Sequence, residues 1–371
     1  MALTPVVFAL NASGLATAQK VAVALGAQLH GREGRVAQAD AFFSNALDHA
    51  RDLFAAGVPI VGVCASGILI RAVAPLLADK STEPPVVSVS DDGAVVVPLL
   101  GGHHGANRLA RDIALALGGT AAVTTAGDVS LGISLDEPPL GWALVNHLDA
   151  KGAMAALLAG GGATVSGKER ASADWLVDLP AGDAVRLSCT IEPQTDLGPN
   201  HLQFAPQRVT VGVGCSRNCP SEELAGLVRS ALLNVGVCNA AVHSVNTISL
   251  KADEPAILDL AVSLGAPLRL FSAAELEAET PRLATPSDVV FAEVGCHGVS
   301  EAAALAQTGS DGVLWVQKCK TANATVALGL YPEPMTILRG AARGRLSVVG
   351  IGPGQAAWRT PEVSRLVADA Q

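Results

Sequence analysis

"VPIVGVCASGILIRAVAPLL", residues 58–77, decides the fold. Val58–Cys64 is an unbroken apolar run of strand length. It shows no alternation of polar and apolar positions, as expected for a strand covered on both faces. Ala65-Ser66-Gly67 turns the chain, and a helix follows, with Arg71 about one turn in. A strand, a short turn and a helix make one α/β unit, and ligands of such sheets gather where the strand ends and the helix begins.

Working outward, residues 1–126 repeat this alternation. Pro5–Leu10 reads as a strand and 13–26 as a helix ending at Gly26. Residues 41–57 read as an amphipathic helix, with Phe43, Leu47, Ala50 and Phe54 on one face. Pro85–Leu100 reads as a hairpin turning at Asp91-Asp92-Gly93, and Thr120–Ala126 as a strand. Residues 127–207 are less regular, broken by Pro138-Pro139 and Gly160-Gly161-Gly162, and suggest a small α+β domain with one helix near 146–160. From 208 to 331 strands and helices alternate again. The fold expected is therefore α/β: two α/β domains, 1–126 and 208–331, flanking a middle domain, 127–207. Residues 332–371 form a linker and a further strand, Gly-Pro-Gly turn and helix start.

The chain has 371 residues, a net charge of −9 and aromatics at only 3%, so its cores are built from Ala, Val and Leu. No basic tract points to nucleic acid. No stretch reaches membrane-spanning length, and the first twenty residues lack a basic start. Seven scattered cysteines do not suggest a disulfide framework, which fits a cytoplasmic protein.

Four junctions could carry chemistry. The first joins Ser66 and Gly67 to Arg71: free helix amides plus a guanidinium suit an anion, although a capped helix with a surface arginine is the plainer reading. The second, "LLGGHHGANRLARDIA" (99–114), crowds Gly101, Gly102, His103, His104, Asn107, Arg108 and Arg111 together. Glycines let a backbone approach a ligand, and histidine moves protons near neutral pH. The third, "VGVGCSRNCPSEEL" (211–224), holds Gly214, Cys215 and Arg217. It fails as a dinucleotide fingerprint, because Arg217 stands where the third glycine belongs. Cys215 and Cys219, with three residues between them, are not a CxxC. The fourth, "EVGCHGVSEAAALA" (293–306), places Gly295 and His297 before a helix. Lys251, Lys318 and Lys320 add positive charge. No ligand set has zinc-like spacing, so no protein metal is expected. Basic residues at glycine-rich turns, in a chain of opposite net charge, suit a polycarboxylate ligand gripped in one shared cleft.

The stretch 66–126 resembles the N-terminal domain of the cobalt-precorrin-5A hydrolase family of cobalamin biosynthesis. "VGVGCSRNCPSEEL", "SLKADEPAILDLAVSLGAPLRLFSAAEL", "GCHGVSEAAALA" and "KCKTANATVALGL" resemble its C-terminal domain, in the same order. The family's histidine loop ordinarily carries a serine and one more residue than "GGHHGAN". "LSVVGIGPGQAAWRTPEV" (346–363) is similar to the start of the tetrapyrrole methyltransferases, especially the precorrin-3B enzyme, which bind S-adenosylmethionine. With only about 25 residues of that domain, the chain is expected not to methylate anything itself, and to derive from a fusion.

The resemblance implies opening of a tetrapyrrole δ-lactone by water with release of acetaldehyde, any cobalt being carried by the substrate. His103, backed by His104, is then the expected general base. Amides near Gly67 or Gly101–Gly102 would hold the oxyanion, and Arg71, Arg108 and Lys251 would anchor carboxylates. The same resemblance leaves open a non-catalytic hand-off protein for a corrinoid intermediate, contact with other enzymes of that pathway, and a homodimer.

Overall fold

The computed structural model describes residues 4–79, 82–195, 197–344, 348–350, 360 and 363. The Gly-Pro-Gly turn of the C-terminal stretch lies outside them. The chain divides into two compact units, Ala2–Gly132 and Ile133–Gly344.

The first unit runs β1 (Val6–Ala9), α1 (Leu15–Leu25), β2 (Gln28–Arg32), β3 (Ala41–Phe43), α2 (Ala46–Ala55), β4 (Ile60–Val63), α3 (Ser66–Val73), β5 (Val86–Val89), β6 (Val95–Leu100), α4 (Ala106–Leu117), β7 (Thr120–Ala121) and α5 (Ala126–Leu131). Its sheet has the order β3-β2-β1-β4-β5-β6-β7. Strands β1 to β5 are parallel and β6 returns antiparallel to β5. β1, β4 and β5 are buried along their whole length, as their unbroken apolar runs require. Val7, Val61 and Val87 pack toward one layer of helices, and Phe8, Ile60 and Val86 toward the other.

Three local readings are corrected here. Residues 41–43 are an edge strand, and α2 starts only at Ala46, where the Asn45 side chain accepts the Leu47 N–H at 2.9 Å. Phe43 therefore reaches the same core as Phe54 from a strand, not from the helix. The strand expected over 120–126 stops at Ala121. The unit continues to Gly132, because α5 is tied back to α4 through Asp128.

The second unit holds two sheets. The smaller has the order β8-β11-β10-β9, from β8 (Trp142–Leu144), β9 (Ala163–Ser166), β10 (Val185–Cys189) and β11 (His201–Pro206), with α6 (Ala150–Leu158) beside it. β11 runs almost directly into β12 (Val209–Cys215), the centre of the larger sheet. Next come α7 (Ser221–Asn234), β13 (Val242–Ile248), α8 (Pro255–Leu264), β14 (Leu268–Phe271), α9 (Ala273–Glu277), α10 (Asp288–Val294), α11 (Ser300–Thr308), β15 (Val313–Lys320), β16 (Ala324–Leu330) and β17 (Ala341–Ala342). The sheet order is β15-β16-β12-β13-β14-β17, with β12, β13 and β14 parallel. Helices α7 and α8 cover one face. On the other, α11 lies so close to β12 that a Cβ on Gly212 would fall 1.9 Å from the Ser300 carbonyl oxygen.

Candidate functional site

In the first unit, β1, β4 and β5 end side by side, and the turns beyond them enclose a crevice of about 520 Å³. Asn11 shapes the first turn: its Oδ1 accepts the Gly14 N–H at 3.0 Å and the Ser13 hydroxyl at 2.9 Å. Asp91, after β5, accepts the Ser13 hydroxyl at 2.5 Å and the Asn11 amide at 3.4 Å. Gly14 must stay small, since a Cβ there would sit 2.9 Å from Val63. Ser66 opens α3 at the crevice, and Ser88 donates to the Cys64 carbonyl at 2.7 Å. Burial pushes the Cys64 thiol up to about 12, with the Asp91 charge adding to it, so this thiol is no nucleophile. Arg71 does not reach into the crevice as an anchor. Its guanidinium folds back on its own helix and donates to the Gly67 carbonyl at 3.0 Å.

The histidine loop is elsewhere. Because β6 is antiparallel to β5, Leu100 pairs with Val86, and Gly101–Gly105 emerges beyond the amino end of β5. A strand of four residues, about 13 Å at 3.3 Å per residue, separates that loop from the crevice. Gly67 and Gly101–Gly102 therefore lie at opposite ends of one sheet, which takes the Gly67 amides away from the histidine loop and leaves Gly101 and Gly102 beside it. Gly101, at φ 71°, passes Pro85 so closely that a Cβ would meet its Cα at 2.9 Å. Asn107 is buried and donates to Thr125 Oγ1 and Asp128 Oδ2, both at 3.0 Å, and Arg111 pairs with the same Asp128. His104 is exposed and Arg108 half-buried. The side chain of His103 lies outside the described residues.

The second unit brings its candidates together at the carboxyl end of β12 and β13. Arg217 Nη1 donates to Asp253 Oδ1 at 2.7 Å and Nη2 to the Leu250 carbonyl at 2.8 Å. Glu254, only 1% exposed, accepts the Asn218 N–H at 2.9 Å and has Arg217 at 3.6 Å and Lys251 at 3.9 Å. Burial, with Glu254 adding, pushes the Cys215 thiol up to about 11. Two cations are thus matched by two carboxylates, so the local charge is near zero rather than strongly positive.

On the other face of the sheet, Gly295 ends α10 at φ 77°. His297 Nδ1 then lies 2.9 Å from Glu277 Oε1, its N–H donates to Glu277 Oε2 at 2.9 Å, and its ring stacks on Phe291 with centroids 4.5 Å apart. Nε2 faces Asp288 at 3.5 Å. The hydrogen bond from His297 holds the Glu277 carboxyl below the usual range. Glu301, 2% exposed, accepts the N–H groups of Ala284, Thr285 and Lys318 at 2.9, 3.0 and 2.9 Å. The Lys318 ammonium donates to the Thr285 carbonyl at 3.3 Å. Lys320 pairs across β16 with Thr325, whose hydroxyl donates to the Gly214 carbonyl at 3.1 Å. Gly214, Cys215, Arg217, Lys251, Gly295, His297 and Lys318 therefore do share one end of this sheet. Asp253, Glu254, Glu277 and Glu301, which hold them, were missed by sequence reasoning; the only signal was the adjacency of Asp253 and Glu254 to Lys251.

Among the described residues no helix is long and apolar enough to cross a membrane, and no group of three His, Cys, Asp or Glu side chains is placed to hold a metal.

Residues 48–128 match the family model described as cobalamin synthesis G N-terminal, and residues 209–329 match cobalamin synthesis G C-terminus. A cobalt-precorrin-5A hydrolase of Salmonella typhimurium is 29% identical over 344 residues, covering 87% of this chain and 96% of that protein. One of Priestia megaterium is 28% identical over 303 residues, covering 76% and 80%. Protein CobE of a Sinorhizobium species is 46% identical over 120 residues, 32% of this chain and 78% of that protein.

Proposed function

The chain belongs to the cobalamin synthesis G family, and on that premise we propose that it acts in cobalamin biosynthesis as a cobalt-precorrin-5A hydrolase. The observation that carries this reading is the reach of the similarity, which extends over nearly the whole length of a relative bearing that name.

The reaction adds water to the carbonyl of a tetrapyrrole δ-lactone. The acyl C–O bond breaks and leaves a carboxylate and an alcohol. The alcohol-bearing two-carbon unit then departs as acetaldehyde: its O–H proton is lost, the C–O bond becomes a carbonyl, and the electron pair of the broken C–C bond stays on the macrocycle. Cobalt enters as part of the substrate, and no S-adenosylmethionine is used. The histidine loop supplies the base, His103 first and His104 second, and Asn107, fixed by Thr125 and Asp128, stiffens that loop. At the end of the second unit's sheet Lys318 contacts substrate carboxylates, while Arg217 and Lys251 stay with Asp253 and Glu254 and order the turn around it. Cytoplasmic residence, with all seven cysteines free, belongs to the same reading.

The test is to incubate the purified chain with the cobalt-bearing and the metal-free lactone and assay acetaldehyde. His103→Ala or His104→Ala should slow its release by ~10²–10⁴, as removal of a general base does. Unchanged rates in both variants would remove the base from this loop. A second reading, binding and hand-off of a corrinoid intermediate, is favoured by one observation: a stretch of 120 residues here makes up most of a separate protein. It predicts pigment binding with no acetaldehyde from either lactone.

A further inference from the structure

The crevice beyond β1, β4 and β5 sits at a particular place in the sheet. From β1 the chain steps outward to β2 and β3; from β4 it steps the other way to β5 and β6. Connections thus leave in opposite directions between β1 and β4, and their helices part there. Such a switch point opens a hollow at the carboxyl ends of an open α/β sheet. The lining comes from all three strand ends: Asn11 after β1, Ser66 and Ile68 after β4, Ser90 and Asp91 after β5. Its volume of about 520 Å³ admits a small ring rather than a whole tetrapyrrole.

The chemistry of the lining is unlike that of the basic clusters. Among the described residues, no lysine, arginine or histidine lines the crevice, and Arg71 is turned onto Gly67. The Ser88 hydroxyl already donates to the Cys64 carbonyl and the Ser90 hydroxyl to Asp92, which leaves Ser66 and the first amides of α3 to donate to a ligand. The one ionisable oxygen group there, Asp91, accepts hydrogen bonds and repels anions. Such a site suits an uncharged group with acceptor oxygens and disfavours a free carboxylate.

We infer that this crevice binds the lactone rim of the substrate while it is still uncharged, and that Asp91 rejects the carboxylate that opening the lactone creates. The inference rests on the lactone-hydrolase reading for its ligand. It adds a specificity device apart from the base: the histidine loop lies at the other end of the sheet, so the crevice holds the intact lactone before it reaches that loop and does not retain the opened carboxylate.

The test is a rapid-mixing absorbance titration with the intact lactone and with the alkali-opened hydroxy-acid, separate from the acetaldehyde assay. The wild-type chain should bind the lactone at least tenfold more tightly than the hydroxy-acid. Ala65→Trp fills the crevice from an exposed, extended position and should weaken lactone binding tenfold or more. Asp91→Asn should bring the two ligands within threefold of each other. Val23→Trp, at an exposed site toward the far end of α1, should bind as wild type does. Lactone binding unchanged in Ala65→Trp, or a preference for the lactone unchanged in Asp91→Asn, overturns the inference. Absence of acetaldehyde from the wild type overturns the hydrolase reading alone, because the binding ratios are read without turnover.

Discussion

The buried carboxylate of Glu301 accepts the backbone N–H of Lys318 at 2.9 Å, tying the start of α11 to β15. The same carboxylate holds Ala284 and Thr285, so one side chain fixes two chain segments beside the candidate site. Hydrogen bonds to a charged group contribute about 1.5–3 kcal/mol each, and their loss strands buried donors. Glu301→Ala should lower stability by about 3 kcal/mol or more, read from the urea midpoint. Lys318→Ala keeps the backbone donor and should shift the midpoint by less than about 1 kcal/mol.

Two glycines separate packing from backbone freedom. Gly212→Ala would drive a methyl into the Ser300 carbonyl and the Ala304 amide nitrogen, 1.9 and 2.7 Å away, and must push α11 off the sheet. A loss of about 3 kcal/mol is expected. Gly226, within α7, has nothing within 4 Å, so Gly226→Ala should stabilise by about 0.5–1 kcal/mol. Thermal melts of both variants check the contrast.

Burial lowers the His49 imidazole to about 4, with His30, whose Nδ1 lies 3.0 Å from His49 Nε2, adding to the effect. The folded state keeps His49 neutral while the unfolded chain takes up a proton as pH falls past its ordinary 6.5. The unfolded state then binds more protons, so stability falls between about pH 6.5 and 4 and levels off below, by up to ~1.4 kcal/mol per pH unit. His49→Gln should flatten this part of the stability curve relative to wild type. An unchanged slope would show that the pair does not set it.

The cysteines should differ sharply toward alkylation. Burial pushes Cys64 and Cys189 up to about 12 and Cys215 up to about 11, whereas Cys319 is exposed on β15. Iodoacetamide at pH 8 should label Cys319 first in the native protein, and the other three only after unfolding, as read by peptide mass spectrometry.

Much of the fold was legible because its signals are local. The apolar run at 58–64 and the helix after it, the hairpin at 85–100 and the alternation of strands and helices from 208 to 331 all rest on period, caps and turns. The edge strand at 41–43 was not legible: Phe42 and Phe43 fit a helix pattern as well as a strand, and only the neighbouring β2 decides between them. The consequence of the hairpin is a different matter. Its antiparallel return carries His103 and His104 to the amino end of β5, away from Ser66, although the two motifs look like similar glycine turns in the sequence.

By itself, the sequence determined the alternation of strands and helices, the small apolar cores and the glycine turns, because each depends on residues within one or two turns of chain. The tertiary structure alone decided which turns meet. Strand order set Asn11, Ser66 and Asp91 around one crevice, and helix placement set Glu254, Glu277 and Glu301 against Arg217, His297 and Lys318. The partners in these carboxylate pairs lie 17 to 37 residues apart, and only crossover connections and burial fix which carboxylate faces which donor.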